Sequence, residues 1–268
     1  MANTTRIVTL LSDFGLRDHY VAAMKGVLLN LNPGLTLVDI SHQIPPQDVF
    51  TGAFTLWQAY GCFPAGTIHV AVVDPGVGTA RRAIILSAGA QWFVAPDNGI
   101  LSYIFDREES WAAYEITADH YFRKPVSSTF HGRDVFAPVA GWLSHDIPAD
   151  KFGPQLTDPV LLKLPVLTRV KDALIQAAVL AIDGFGNIVT NLKPEDLPVY
   201  SAPGTRSCRI LAAQKEIAGF YRTFSEGKPG EIFVVPGSSG YLEIVMRQGS
   251  ASAALNLAPG ALIGVILN

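Results

Sequence analysis

The sequence predicts an α/β protein with an N-terminal, mainly parallel sheet flanked by helices and a second, smaller all-β, barrel-like C-terminal domain. Three observations carry that prediction. In the first half, short apolar runs rich in β-branched residues alternate with stretches of helical spacing. In the last third, short strand-like runs follow one another with Gly or Pro turns between them. Between the two lies a proline-punctuated, irregular stretch from about Gly153 to Lys171 that reads as a linker, giving domains at 1–165 and 173–268.

Taken in order, Arg6 to Leu11 is an apolar run that reads as a buried parallel strand and ends in Ser12-Asp13-Phe14-Gly15. Asp18 is read as opening a helix to about Leu31, with Tyr20, Met24, Val27 and Leu28 near helical spacing and Asn32-Pro33-Gly34 as the stop. Leu35 to Ile40 is the next strand. Asp48 is a candidate N-cap for a helix whose inner face is Phe50, Ala53, Phe54, Trp57 and Tyr60. Thr67 to Val73, Ala83 to Ser87 and Trp92 to Ala95 read as strands, followed by the turn Pro96-Asp97-Asn98-Gly99. Ala112 to Ile116 is a further strand, and the polar loop Ser127 to Arg133 precedes a helix from Asp134 to about Leu143. In the second half, Gln176 to Ile182, Ile188 to Leu192, Cys208 to Leu211, Glu231 to Val235, Tyr241 to Met246 and Leu262 to Leu267 are the strand candidates.

Composition narrows the function. With 49% hydrophobic and 16% charged residues, the chain is a globular protein rather than a disordered one. A formal net charge of -3 and the absence of any Lys/Arg run argue against nucleic-acid binding. No apolar stretch reaches the roughly 20 residues that span a bilayer, and no targeting peptide is visible in the polar start Met1 to Arg6, so a cytoplasmic location is expected. Cys62 and Cys208 lack metal-ligand spacing and are expected to be reduced.

The residues able to carry chemistry stand where apolar strands end. In an open α/β sheet, ligands bind outside the carboxyl ends of the strands. Asp13 and Asp74 both occupy such ends, and Asp74 begins the glycine-rich turn Asp74-Pro75-Gly76-Val77-Gly78-Thr79-Ala80-Arg81. A carboxylate accepts two hydrogen bonds side by side, which suits a ribose diol or an ammonium group. The six histidines show no metal spacing, so no metal site is expected. His131 differs from the others by lying in a polar loop beside Gly132 and Arg133, whereas His19, His42, His69, His120 and His145 receive structural readings. The turns Asp183 to Asn187 and Pro236 to Tyr241 read, by themselves, as hairpins.

Together these motifs resemble one family: Ser12-Asp13-Phe14-Gly15 with Asp18, Asp74 to Thr79 with Arg81, Pro96 to Gly99, Phe130-His131-Gly132-Arg133-Asp134, Asp183 to Asn187 and Pro236 to Tyr241. It is the S-adenosylmethionine (SAM) hydrolase family, also called SAM hydroxide adenosyltransferases, which is similar to the fluorinating and chlorinating SAM enzymes. The resemblance runs from about residue 6 to 265. It implies a homotrimer with SAM, or its products adenosine and L-methionine, bound between neighbouring subunits, and no cofactor, since SAM is the substrate. It maps the water-handling Asp, Arg and His onto Asp74, Arg81 and His131. Asp13 falls on the residue that holds the ribose hydroxyls, Asp18 on one that meets the methionine amine, and Asn187 on an adenine contact with Phe185 beside it. Arg247, Gln248 and Leu257 fall on the C-terminal segment that cradles adenine and methionine.

Where this chain has Asp74 and His131, the halogenases of the superfamily carry Tyr. A fluoride-binding Thr and Ser are replaced by Val77 and Gly132, although chlorinating relatives also have Gly at the latter position. The implied reaction is displacement at the ribose C5′ of SAM by water. Arg81 stays protonated and cannot be a base, while either Asp74 or His131 can take the proton. The competing readings are a SAM-dependent halogenase and a nucleoside- or SAM-binding module without useful turnover.

Overall fold

The computed structural model describes residues 6–171, 173–201 and 208–267. The polar start at residues 1–5 and the chain end at residue 268 lie outside the described residues, as do residues 172 and 202–207. The chain divides into two compact units, Met1–Lys163 and Leu164–Asn268.

The first unit runs β1 (Ile7–Ser12), α1 (Tyr20–Leu31), β2 (Thr36–Ser41), α2 (Val49–Tyr60), β3 (Ile68–Val72), β4 (Ala83–Ala88), β5 (Gln91–Pro96), α3 (Ser102–Arg107), β6 (Trp111–Glu115), α4 (Ala137–Leu143) and β7 (Gln155–Leu156). Its sheet has the order β2-β1-β3-β5-β4-β6-β7. The pairings β1–β2, β1–β3 and β3–β5 are parallel, and those of β4 with β5, β4 with β6 and β6 with β7 are antiparallel. The sheet is therefore mixed. The reason lies in Gly89-Ala90, where two successive residues at φ 56° and 60° make the tight hairpin that turns β5 back along β4.

Helices cover both faces. On one, Val8 and Leu10 of β1 pack with Met24 and Leu28 of α1 and with Val139 and Ala140 of α4. On the other, Tyr60 of α2 meets His69 and Phe93 edge-on, with ring centroids 6.5 and 5.7 Å away. Asp48 caps α2 as expected, accepting from Thr51 N at 2.9 Å. Ala53, Phe54 and Tyr60 of the expected inner face are buried, while Phe50 and Trp57 are half-buried against Tyr103 of α3. α3 has six residues, too few to announce itself by periodicity.

Three local expectations shift. α1 starts at Tyr20 with His19 at its N-cap, so Asp18 stands outside the helix rather than opening it. The helical backbone before α4 begins earlier than Asp134, because Gly132–Phe136 forms a π-helical turn that runs into it. The irregular segment read as a linker contributes β7 to the first sheet and β8 (Thr168–Lys171) to the second.

The second unit continues with β9 (Leu174–Ile182), β10 (Ile188–Thr190), α5 (Pro198–Ser201), β11 (Cys208–Ala212), β12 (Lys215–Ile217), β13 (Ile232–Pro236), β14 (Leu242–Met246), α6 (Ala251–Leu255) and β15 (Leu262–Leu267). The strand order is β12-β11-β15-β9-β10-β14-β13, with β8 added alongside β9 and every pairing antiparallel. β12 and β13, the two ends of that order, lie against each other, which makes the sheet barrel-like. Val179, Ile188, Ile210, Val234, Ile244 and Val265 are among the side chains that fill it. Among the described residues, no helix is long and apolar enough to cross a membrane.

One buried histidine gives the first unit a pH-dependent stability. His69 has no exposed surface, Thr9 Oγ1 lies 2.7 Å from its Nδ1 and Gln91 Oε1 lies 3.0 Å from its Nε2. Because Gln91 Oε1 can only accept, Nε2 carries the proton and the ring is neutral. Burial lowers its pKa from 6.5 to about 4 against a smaller opposing effect of the Gln91 bond. Between those values the unfolded chain takes up a proton that the folded chain refuses, so stability falls as pH drops, by about 3 kcal/mol at pH 4. In thermal melts between pH 7 and pH 4, His69→Gln should show a shallower loss of stability than the wild type. Parallel profiles would remove His69 as the cause.

Candidate active site

β1 and β3 are parallel neighbours with Ser12 opposite Val72, so the chain leaves the sheet twice on the same edge, once into Asp13 and once through Val73 into Asp74. The two carboxylates singled out in the sequence thus emerge side by side at the carboxyl edge of the parallel strands. Asp13 Oδ2 accepts from the backbone N–H of Gln47 at 2.8 Å. Gln47 itself has φ 66°, an unusual backbone for a side-chain-bearing residue.

The turn after Asp74 folds back on itself to bring Arg81 against it. Val77 N donates to Asp74 O and Thr79 N to Gly76 O, both at 3.2 Å. Glycine is required at 78, where φ is 77° and an added Cβ would sit 2.3 Å from Ser128 O. The Pro96–Gly99 motif serves this turn: Asn98 Nδ2 donates to Val73 O at 2.8 Å, immediately before Asp74. Asp97 accepts from Arg82 Nε and from Val160 N, each at 2.8 Å, and so ties the segment after β5 to the same region.

Arg81 binds Asp74 with both arms of its guanidinium, Nε to Oδ1 at 2.8 Å and Nη2 to Oδ2. Their side chains are 11% and 5% exposed, so the pair is nearly withdrawn from water. The guanidinium also stands over the Phe136 ring, 5.2 Å from its centroid. Arg81 Nη2 further lies 2.8 Å from His131 Nδ1. A guanidinium only donates, so Nδ1 must offer its lone pair and Nε2 carries the ring proton. His131 is accordingly held neutral: burial lowers its pKa, the positive Arg81 lowers it further, and Asp74 and Asp134 oppose them.

His131 is fixed by its own loop. The fully buried Asp134 accepts from Arg133 Nε at 2.7 Å, Arg133 Nη2 at 2.8 Å, Arg123 Nη1 at 3.1 Å and Ser127 N at 2.9 Å. Those bonds hold its pKa below the usual carboxylate range despite burial. They also close the 123–134 segment onto itself and set the π-helical turn that follows His131. Gly132 sits tightly there, with Met24 Sδ 3.1 Å and Phe14 Cε2 3.2 Å from where a Cβ would stand.

Asp13, Asp74 and His131 line one cleft of about 390 Å³, together with Phe14, Tyr20, Gln47, Val77, Thr129 and Phe130. Phe14, Tyr20 and Phe130 form an aromatic wall with ring centroids 5.0 to 5.9 Å apart. Phe14 and Phe130 stand inside the sequence motifs, but their meeting with Tyr20 and the presence of Gln47 are not legible in the sequence. In the sequence Tyr20 marks only a helix position, and Gln47 contributes its backbone N–H, which no side-chain pattern announces. Asp18 is exposed and is not part of this lining.

The remaining candidates belong to the second unit. Asn187 is buried and bonds Asp183 through its N–H and its Nδ2, each at 2.8 Å, so the Asp183–Asn187 turn is internally braced. Phe185, at the tip, is 82% exposed. Gly186 packs on Ser250, and Ser252 N donates to Gly186 O at 3.0 Å, joining this turn to the start of α6. Arg247 Nη1 donates to Gly227 O at 2.5 Å and Ser225 O at 3.1 Å. Gln248 is exposed with φ 59°, and Leu257 packs against the barrel core.

Comparison with known proteins adds to this geometry. Residues 8–153 match the SAM hydroxide adenosyltransferase N-terminal domain and residues 177–264 the C-terminal domain. The chain is 40% identical over 261 residues to a protein from Salinispora tropica named (R)-S-adenosyl-L-methionine hydrolase, covering 94% of this chain and 95% of that one. It is 27% identical over 293 residues to a protein named fluorinase from Actinoplanes sp., covering 98% of each. The crystal structure of a conserved protein from Thermotoga maritima is similar with a TM-score of 0.89 at 35% identity, covering 97% of this chain and 99% of that one.

The Arg81 arrangement makes a direct prediction. In Arg81→Gln, Asp74 remains buried without its partner, and folding stability should fall by about 3–5 kcal/mol. His131 loses a cation while keeping Asp74 and Asp134 nearby, so its pKa, followed by NMR titration of the folded variant, should rise relative to wild type. An unchanged or lower value would contradict the bond from the guanidinium to Nδ1.

Proposed function

This chain belongs to the SAM hydroxide adenosyltransferase family, and on that premise we propose that it hydrolyses S-adenosyl-L-methionine to adenosine and L-methionine. Water attacks the ribose C5′, an O–C5′ bond forms, and the C5′–S bond breaks with its electron pair passing to sulfur. The sulfonium leaves as a neutral thioether, so no acid is needed at sulfur and no cofactor is assigned. Catalysis is concentrated on the nucleophile.

The observation that carries this reading is that Asp74 and His131, both bonded to the nearly buried Arg81 behind them, line the cleft that also holds Asp13. Arg81 orients the water and offsets developing negative charge. His131, with its Nδ1 lone pair directed at Arg81, has only an N–H to offer at Nε2 and serves as a donor. Asp74 is therefore the proton acceptor, since each carboxylate oxygen can accept a bond beyond the one from Arg81. Holding the attacking oxygen in line with the C5′–S bond is worth effective molarities of about 10⁵ M or more.

Asp13 takes the ribose diol and Asp18 the methionine ammonium. Adenine and methionine are contacted by Phe185, Asn187, Arg247, Gln248 and Leu257. Assembly as a homotrimer with SAM between neighbouring subunits is the reading that the family resemblance supports. The unpaired thiols Cys62 and Cys208 support a reducing, cytoplasmic setting. Halogenation is disfavoured by chemistry. A halide needs small uncharged donors, whereas Val77 supplies no hydroxyl and the positions of Asp74 and His131 carry acid–base side chains.

Purified protein incubated with SAM in ¹⁸O-water should release adenosine and methionine in equal amounts, with the label in the adenosine 5′-hydroxyl. Label in any other position would exclude attack at C5′. Asp74→Asn should lower kcat by about 100-fold or more while SAM binding stays within a few-fold. An active, folded Asp74→Asn would remove its role as acceptor. Release of a 5′-halogenated nucleoside when chloride or fluoride is supplied would favour the halogenase reading instead.

A further inference from the structure

We propose that His42 is a positioning residue for Asp13, acting through Ser12 to hold the ribose-binding carboxylate in place; the proposal rests on the diol role assigned to Asp13 above. His42 is 3% exposed and Ser12 is fully buried. His42 Nδ1 lies 2.7 Å from Ser12 Oγ, its Nε2 lies 3.1 Å from Asp39 Oδ1, and Asp39 Oδ2 accepts from Lys25 Nζ at 2.6 Å. Asp39, paired with Lys25, accepts at both oxygens, so His42 donates from Nε2 to Asp39, while its Nδ1 and the Ser12 hydroxyl are bonded to each other. Ser12 Oγ in turn accepts from Phe14 N at 3.3 Å.

A serine, a histidine and an aspartate in hydrogen-bonded series also describe a hydrolase's nucleophile system. Burial excludes that use here, because no substrate reaches a hydroxyl with no exposed surface. What the series does touch is the turn that carries Asp13. His42 holds that turn at two points on either side of the carboxylate, by its side chain at Ser12 and by its carbonyl, which accepts from Gly15 N at 2.7 Å. Five residues later the same loop supplies Gln47 N to Asp13 Oδ2. One loop thus fixes the backbone under Asp13 and one of its two oxygens. A carboxylate that must meet two adjacent hydroxyls at once tolerates little displacement, since misplacement by about 1 Å costs on the order of 100-fold.

The test compares wild type, His42→Leu, His42→Asn and Ser12→Ala in SAM turnover, and in binding of adenosine and of 2′,3′-dideoxyadenosine by calorimetry. His42→Leu should raise the KM for SAM about tenfold with kcat within about threefold. It should also reduce the preference for adenosine over the dideoxy analogue by a similar factor, through weaker adenosine binding alone. His42→Asn, whose side-chain oxygen can accept from Ser12, should recover most of that preference. If His42→Leu does not fold, Ser12→Ala, which deletes a single buried oxygen, carries the same expectation. A folded variant with wild-type preference, an equal loss for both nucleosides, or a fall in kcat at unchanged KM would overturn the proposal. Wild type that released no methionine would remove the hydrolase reading alone, because the nucleoside preference still reports on His42. Wild type without preference for the intact diol would overturn the positioning role together with that of Asp13.

Discussion

A guanidinium almost wholly withdrawn from water has to be matched by an equally buried anion, and the candidate site is arranged around that requirement at Arg81. Leaving either partner alone costs several kcal/mol, so the seven-residue turn that joins Asp74 to Arg81 has little freedom. The pairing also determines the chemistry nearby. It directs an N–H at His131 Nδ1, which fixes the tautomer of the ring and opposes its protonation. A histidine that the sequence alone allows to be acid, base or cation is thereby committed to the neutral form.

The support for this cluster comes from residues that touch no substrate in the proposed reaction. Asn98 anchors the backbone before Asp74, Asp134 gathers two arginines and a backbone N–H to shape the loop of His131, and Gly78 permits the close pass of Ser128. The Asn98 bond and the Gly78 approach join segments far apart in the chain, whereas the Asp134 bonds close one loop onto itself. The parallel strands provide a rigid edge, and the loops leaving it are pinned by buried polar groups rather than by packing alone. The same logic recurs at Asp13, where buried His42 and Ser12 brace the turn and Gln47 braces the carboxylate.

Charge also separates the two reactions that a SAM-cleaving fold of this kind can host. Water must be oriented and deprotonated, which a carboxylate, a guanidinium and a fixed imidazole can do between them. A halide must be stripped of its hydration by small neutral donors. Here the positions at 74 and 131 carry polar, acid–base side chains rather than small neutral donors.

Much of this was legible in the residues themselves. Apolar strand runs, the Asp48 cap and the change from alternating strand and helix to short strands gave the α/β and barrel-like parts, because those signals are encoded within a few consecutive residues. The acids at strand ends were visible for the same reason: a strand's end and the side chain that follows it are adjacent in sequence. Folding in three dimensions decided the rest. The Gly89-Ala90 hairpin set β4 antiparallel to β5 beside the parallel strands β1, β2, β3 and β5, and Asp18 fell outside both the helix and the cleft lining. Arg81 and His131, fifty residues apart, met only because β3 and the 123–134 loop close on the same edge. His42, legible only as a structural histidine, became the link between two loops. Local propensity depends on near neighbours along the chain, whereas burial, tautomer and charge pairing depend on which distant segments exclude water together, and that is a property of the folded chain.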